Sequence, residues 1–207
     1  YFNEWYGYRT DGIFQTSEEI ANTPVMNNNV KPGDIKYIDI NGDGQIDKND
    51  EKALGWAGVP EIVYGFGLSA AWKGFDISVF FQGAGHVSLM QSGSAIQAFK
   101  GRNMVESGVY EDIYYNHWSE SNPDTDAKYP RLSLGSNENN FRSSSFWQKD
   151  MSYLRLKTAE IGYNFPTKWI EPMHISGLRL YLSGVNLLTF SKFKLWDPEV
   201  LQGQGSN

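Results

Sequence analysis

From Glu61 to Gly85 the chain alternates large apolar side chains with small or polar ones. Tyr64, Phe66, Leu68, Ala70 and Trp72 share one parity, and Gly65, Gly67, Ser69 and Ala71 share the other. A period of 2 places the large groups on one face of a β-strand. After Lys73-Gly74, a tight-turn signal, Phe75, Ile77, Val79 and Phe81 alternate with Asp76, Ser78 and Gln82, and only Phe80 breaks the pattern. The stretch reads as a β-hairpin with arms of about ten residues, the length of a tilted strand that crosses a bilayer. The same alternation would serve a soluble sandwich whose apolar face turns to a core.

A second pair of strands is expected from Ser152 to Phe165 and from Gly177 to Phe190. Leu178, Leu180 and Leu182 alternate with Arg179, Tyr181 and Ser183. In the first of the two, Leu154 and Leu156 fall on the opposite parity to Ile161, Tyr163 and Phe165, a conflict that a β-bulge would reconcile. Short turns follow Trp72 and Phe165, whereas long polar segments lie at roughly 15–60, 86–150 and beyond Ser191. Strands that alternate in direction then gather the short turns on one side and the long loops on the other, the polarity of outer-membrane barrels. A short helix is expected at Thr16–Ala21, capped by Thr16 or Ser17 with Glu19 as capping-box partner, and another within 94–108.

Composition narrows the classes. In 207 residues the chain carries 15% aromatic residues, 21 glycines and 20% charged residues, a mixture suited to secreted sugar-binding β-domains or to membrane barrels with aromatic girdles. It has no cysteine, which removes disulfides, cysteine metal sites and thiol chemistry. A net charge of −6 with scattered basic residues argues against nucleic acid as a partner. No apolar run approaches the roughly 18 residues of a transmembrane helix, so contact with a lipid bilayer would be made by strands. The first residue is Tyr1, not Met, and the chain is read as a fragment.

The sharpest local motif runs from Asp39 to Asp50. It carries oxygen side chains at positions 1, 3, 5 and 9, glycine at 6, an aliphatic residue at 8 and a carboxylate at 12, the pattern of a calcium loop. Asp39, Asn41, Asp43 and Asp50 would supply side chains, Gln45 its carbonyl, and Asp47 a direct or water-mediated contact to a structural Ca²⁺. Asp in place of Glu at position 12 shortens the reach, and flanking helices are missing, so an ion-free Asx/Gly turn is the competing account. Gly65-x-Gly67-x-x-Ala70 imitates a dinucleotide fingerprint but lies within one strand with no helix following.

His86, His117 and His174 share no metal-ligand spacing, and no nucleophile elbow or zinc motif occurs. Glu111, Asp112 and Glu120 are candidates for glycoside acid/base chemistry, or solvated loop charges. Tyr110, Tyr114, Tyr115, Trp118 and Tyr129 cluster among polar residues; Tyr114, Tyr115 and Trp118 are the candidate substrate-binding residues, as stacking faces for a sugar or peptide. The alternative is that these rings pack the loop against the wall.

Five strings occur in order: PGDIKYIDINGDGQID, YGFGLSAAWKGFDISVFFQGAG, YPRLS, SYLRLKTAEIGYNFP and LYLSGVNLLTFSKFKLWDPE. Together they resemble the C-terminal part of SusC/RagA-type TonB-dependent outer-membrane transporters, over about Gly12 to Glu199. The resemblance implies an all-β fold: the C-terminal portion of a large antiparallel transmembrane β-barrel of about 22 strands with long extracellular loops. Residues 1–207 would be a partial barrel lacking the N-terminal plug and the last strand, with 30–60 an extracellular loop holding the calcium-type motif. It further implies import of glycan fragments or peptides across a Gram-negative outer membrane, with TonB and a SusD-like surface lipoprotein as partners, and no enzymatic role. The competing readings are a secreted calcium-stabilised carbohydrate-binding β-module and a glycoside hydrolase fragment. Exposure of Phe75, Ile77, Val79 and Phe81 separates the transporter from the module, which would bury all four.

Overall fold

The computed structural model describes residues 4–93, 96–99, 108–135 and 137–199. Two compact units emerge, one drawn from residues up to Gly58 and from Leu89–Lys149, the other from Val59–Ser88 and from Asp150 onward. The helix expected within 94–108 falls largely outside the described residues.

In the first unit the long polar segments are far from structureless. Strands β1 (Trp5–Gly7), β2 (Thr10–Ile13), β3 (Ile35–Tyr37) and β4 (Lys52–Leu54) form two small antiparallel ladders, β1 with β4 and β2 with β3. Helix α1 (Ser17–Ala21) begins where the capping signal places it, with the Thr16 hydroxyl accepting from the Glu19 N–H at 3.1 Å. The Glu19 carboxylate reaches one residue further back than in a standard capping box, to the Gln15 N–H at 2.9 Å. Tyr8, Ile35, Tyr37, Ile46, Leu54, Ile113, Tyr129 and Trp147 share one apolar core.

Beneath that core lies a buried polar hub. Asp34, 1% exposed, accepts from the Lys31 N–H (2.9 Å), Asn140 Nδ2 (2.8 Å), Asn137 Nδ2 (3.0 Å) and Arg131 Nη2 (3.2 Å). Arg131 Nε also lies 2.7 Å from the same carboxylate, off the line of its N–H. One side chain thereby ties segment 31–35 to segment 131–140, about a hundred positions away in the chain. A buried carboxylate is tolerable only with such a full set of donors.

The second unit is a four-stranded antiparallel sheet in the order β10-β9-β6-β5, built from β5 (Ile62–Trp72), β6 (Phe75–Gly85), β9 (Tyr153–Asn164) and β10 (Arg179–Ser191). Between them in the chain, β7 (Ser88–Met90) pairs with β8 (Gln148–Asp150). The β5–β6 connection is a two-residue turn with positive φ at both Lys73 (48°) and Gly74 (90°), the primed geometry that matches the twist of hairpin strands. The second short connection holds α3 (Thr167–Ile170).

Register assigns the faces. Trp72, Phe75, Tyr163 and Leu180 are aligned across the sheet, as are Ala70, Ile77, Ile161 and Leu182. On β9 the extra residue is Lys157: Phe80 pairs with Thr158 and Phe81 with Leu156. On β10 the register shifts at the same level, where Asn186 has a left-handed φ of 54°. This bulge places Leu154 and Leu156 on the face of Ile161 and Tyr163, and the parity conflict in the sequence disappears.

The apolar face is largely open. Leu68 is 68% and Leu182 74% exposed, and Phe75 and Ile77 are exposed as expected. Val79 and Phe81 are half-buried by neighbours within the sheet; Phe81 stacks on Phe66 at 5.1 Å. None of the four belongs to a closed core.

Phe80, which breaks the alternation, lies on the opposite face, and its ring covers Gly65 and Gly67. A Cβ on Gly65 would meet Phe80 Cζ at 3.0 Å. The two glycines therefore receive an aromatic ring from the neighbouring strand, which accounts for the false dinucleotide motif. On the apolar face Tyr64 lies over Gly83 in the same way and donates its hydroxyl to the Tyr153 carbonyl at 3.0 Å.

The face opposite the apolar one carries charge. Near the short turns Arg179 pairs with Asp76 (2.5 Å) and Glu160 (2.6 Å). Toward the other end Arg155, 4% exposed, meets Asp197 (2.5 Å) and Glu199 (3.0 Å), and Lys157 meets Glu199 (3.1 Å). The chain beyond Ser191 thus folds back as a strap onto β9, anchored by Phe193, which is buried and edge-on to Trp196 at 4.7 Å.

Three substitutions in the intact protein test this architecture. Gly83→Val drives a side chain to within 2.4 Å of Tyr64 and 2.5 Å of the Tyr153 carbonyl, and should cost about 1–3 kcal/mol in thermal or denaturant unfolding. Gly177→Ala, with open space around it, should cost nothing by the same measurement. Asp34→Ala, which leaves Arg131 and two amides without their acceptor, should lower stability by about 3–5 kcal/mol.

Candidate functional site

The loop Asp39–Asp50 is organised by its own side chains. Asp39 accepts from the Gly42 and Gly44 N–H groups, both at 2.7 Å, and these glycines adopt left-handed φ of 74° and 83° that a Cβ would strain. Asn41 Oδ1 accepts from the Asp43 N–H and Asp43 Oδ1 from the Gln45 N–H, each at 2.9 Å. Ile46 turns inward and pins the loop to the core. Lys48–Asp50 forms a single 3₁₀ turn capped by Asp47, whose carboxylate accepts from the Asn49 N–H at 2.7 Å. No flanking helix is present, as the sequence pattern indicates.

Asp50 differs from the rest of the motif. It is fully buried, and its carboxylate accepts from the Ile40 (2.8 Å), Asn41 (3.3 Å) and Asp47 (2.9 Å) N–H groups. Burial opposes its charge, but the three N–H donors outweigh burial and hold the carboxyl below the ordinary aspartate range. Asp50 therefore staples the two ends of the loop. Asp39, Asn41, Asp43, Gln45 and Asp47 remain on the solvent side. Each engaged carboxylate oxygen keeps a second lone pair, so this part of the donor set suits a hard cation. Among the described residues no three acidic or histidine side chains converge on one point. The fit is thus that of an outward-facing turn with part of a calcium shell, the twelfth-position ligand being committed to the backbone.

The aromatic cluster divides. Helix α2 (Glu111–Asn116) is anchored by Ile113, 2% exposed, while Tyr110, Tyr114 and Tyr115 stand out at 61%, 59% and 70% exposure. Tyr114 and Tyr115 meet edge to face at 5.1 Å, and His117 lies 6.3 Å from Tyr114. Trp118 and Tyr129 face the other way. Trp118 is 4% exposed, packs with Ile13 and Ala127, and donates its indole N–H to Gln15 at 2.9 Å. Gly33, with φ 87°, lies so close beneath it that a Cβ would come within 2.2 Å of the ring. Of the three aromatic residues expected to meet substrate, Tyr114 and Tyr115 are available and Trp118 is a core residue.

Asp112 is locked by Lys128 (2.5 Å), the Tyr129 hydroxyl (2.6 Å) and Asn116 (3.0 Å). Burial works against its charge, but Lys128 and Tyr129 prevail and lower its pKa. A carboxylate held ionised in this way is unsuited to act as a general acid.

The same unit contains a polar cleft of about 760 Å³ lined by Asn27, Asn29, Lys31, Ser133, Leu134 and Asn137, among others. Its walls come from the two segments joined by Asp34. No motif marks these residues, because only that tertiary contact brings them together.

No family model matches the chain. It is 32% identical over 200 residues to TonB-dependent receptor P3 of Formosa agariphila, covering 94% of this chain and 18% of the receptor. It is 26% identical over 184 residues to TonB-dependent receptor SusC of Bacteroides thetaiotaomicron, covering 88% and 17%. Among solved structures, the RagAB peptide transporter matches with a TM-score of 0.65 at 24% identity, over 96% of this chain and 20% of that one. The chain thus spans about a fifth of the length of the proteins it matches, and they are receptors and transporters rather than enzymes. An antiparallel sheet with an open apolar face, together with these likenesses, establishes that the chain belongs to the SusC/RagA-type TonB-dependent transporter family as a segment of its large β-barrel.

Proposed function

We propose that the parent protein imports a nutrient, a glycan fragment or a peptide, across the outer membrane of a Gram-negative cell. TonB supplies the energy, and a SusD-like surface lipoprotein serves as partner on the extracellular side. The observation that carries this reading is the four-stranded sheet, with large apolar side chains open on one face and ion pairs on the other. Hydrocarbon on one side and water on the other suit these two faces. The kinship with SusC and the likeness to RagAB, a peptide importer, support it. Cells carrying the intact transporter should accumulate oligosaccharides or peptides in a TonB-dependent manner. Accumulation of neither above the TonB-deleted strain would remove the import reading.

Tyr114 and Tyr115 are the side chains of this segment best placed to contact the imported molecule. Each offers an exposed ring beside polar groups, and a ring contact of this kind contributes about 0.5–1.5 kcal/mol. Tyr115→Ala should therefore weaken substrate binding by up to about tenfold without altering stability. Trp118→Ala should instead destabilise the fold by about 3–5 kcal/mol. Equilibrium binding and thermal unfolding of the intact transporter separate the two effects.

The loop Asp39–Asp50 is proposed to take Ca²⁺ as a structural ion through Asp39, Asn41, Asp43, Gln45 and Asp47, with Asp50 as the internal staple. Calcium titrated into the intact transporter should slow amide exchange around Asp43, and Asp43→Ala should abolish that response. Identical exchange with calcium and with chelator would reduce the motif to a turn.

A further inference from the structure

The apolar face of the sheet is not uniformly filled. At the level of the short turns, Ala70 stands in a row whose other members are Ile77, Ile161 and Leu182. The small side chain leaves a notch of about 260 Å³, bordered by Trp72, Phe75, Ile77 and Ile161 and almost wholly apolar. Behind it Phe75 rests on Tyr163 at 4.5 Å, so the wall of the notch is rigid aromatic surface.

A cation lies against one of its bordering rings. Lys73, at the tip of the β5–β6 turn, holds its ammonium 4.7 Å from the centre of the Trp72 ring. Among the described residues Lys73 has no ion-pair partner. The nearby Asp76 does not neutralise it, because Asp76 is engaged by Arg179 and Asn164. The result is an apolar notch beside Trp72, with a positive charge on the same ring at the turn end of the sheet.

We propose that this notch is a phospholipid site, with an acyl chain over Ala70 between Trp72, Phe75 and Ile161 and the lipid phosphate on Lys73. This rests on the membrane reading above. Given that reading, the slot opens into hydrocarbon, which fixes the chemistry of what fills it. The charge beside it favours a lipid whose headgroup carries net negative charge. A phosphate also satisfies Lys73 where the aromatic ring alone leaves most of its donors to water.

The test uses the intact transporter in detergent, titrated with palmitoyl-oleoyl-phosphatidylglycerol and followed by native mass spectrometry. The wild type should retain one tightly held lipid. Ala70→Leu, which fills the notch, and Lys73→Glu, which reverses the charge, should each lower its occupancy at least tenfold. Leu68→Ala, elsewhere on the same face, should leave it unchanged. Retention in either notch variant, or loss in all three, overturns the site. Millimolar inorganic phosphate should not displace the lipid; displacement would mean that Lys73 binds a free ion, and would overturn the proposal too. Failure of the membrane reading itself is seen separately, as an intact protein that remains soluble and monodisperse without detergent.

Discussion

A strand's peptide groups must find their partners on the strands beside it, and this one constraint organises the second unit. Every N–H and C=O of β6 and β9 must find its partner on an adjacent strand, so side chains are chosen for what lets strands approach and stay in register. Gly65, Gly67 and Gly83 are consequences. Each lies beneath a ring from a neighbouring strand, and the rings of Phe80 and Tyr64 recover the contact area the glycines give up. The bulge at Lys157 is the tolerated exception, a local slip that keeps the apolar residues before and after it on one face.

The first unit solves a different problem, how to keep long connections ordered in water. A hydrophobic cluster around Trp147 and Ile35 does part of it. Asp34 does the rest by gathering donors from two distant stretches of chain onto one carboxylate. The cleft and the exposed Tyr114–Tyr115 pair stand on this frame. Exposed groups on long connections keep a fixed geometry only with such support, since ordering an unanchored segment costs entropy.

What could be read from the sequence was what neighbouring residues decide among themselves. The hairpin at Ile62–Gly85, the Lys73-Gly74 turn, the Thr16 cap and the need for a bulge between Leu156 and Ile161 are all local, and the structure has each of them. The small ladders at Trp5–Gly7 and Ile35–Tyr37 were not legible, because three-residue strands carry too little periodicity. Trp118 misled for a related reason. Its polar neighbours suggest a surface ring, yet its burial depends on Gly33 and Gln15, far away in the chain. Family kinship was legible because it is spread over five ordered strings and needs no single residue to be decisive.

The strap after Ser191 bears on the net charge of this face of the sheet. Asp197 and Glu199 cancel Arg155 and Lys157, much as Asp76 and Glu160 offset Arg179. Four acidic and three basic groups leave this stretch of lining close to electroneutral. The face therefore presents little net field of either sign, and its charges act chiefly as fasteners that hold the strap and the neighbouring strands to one another.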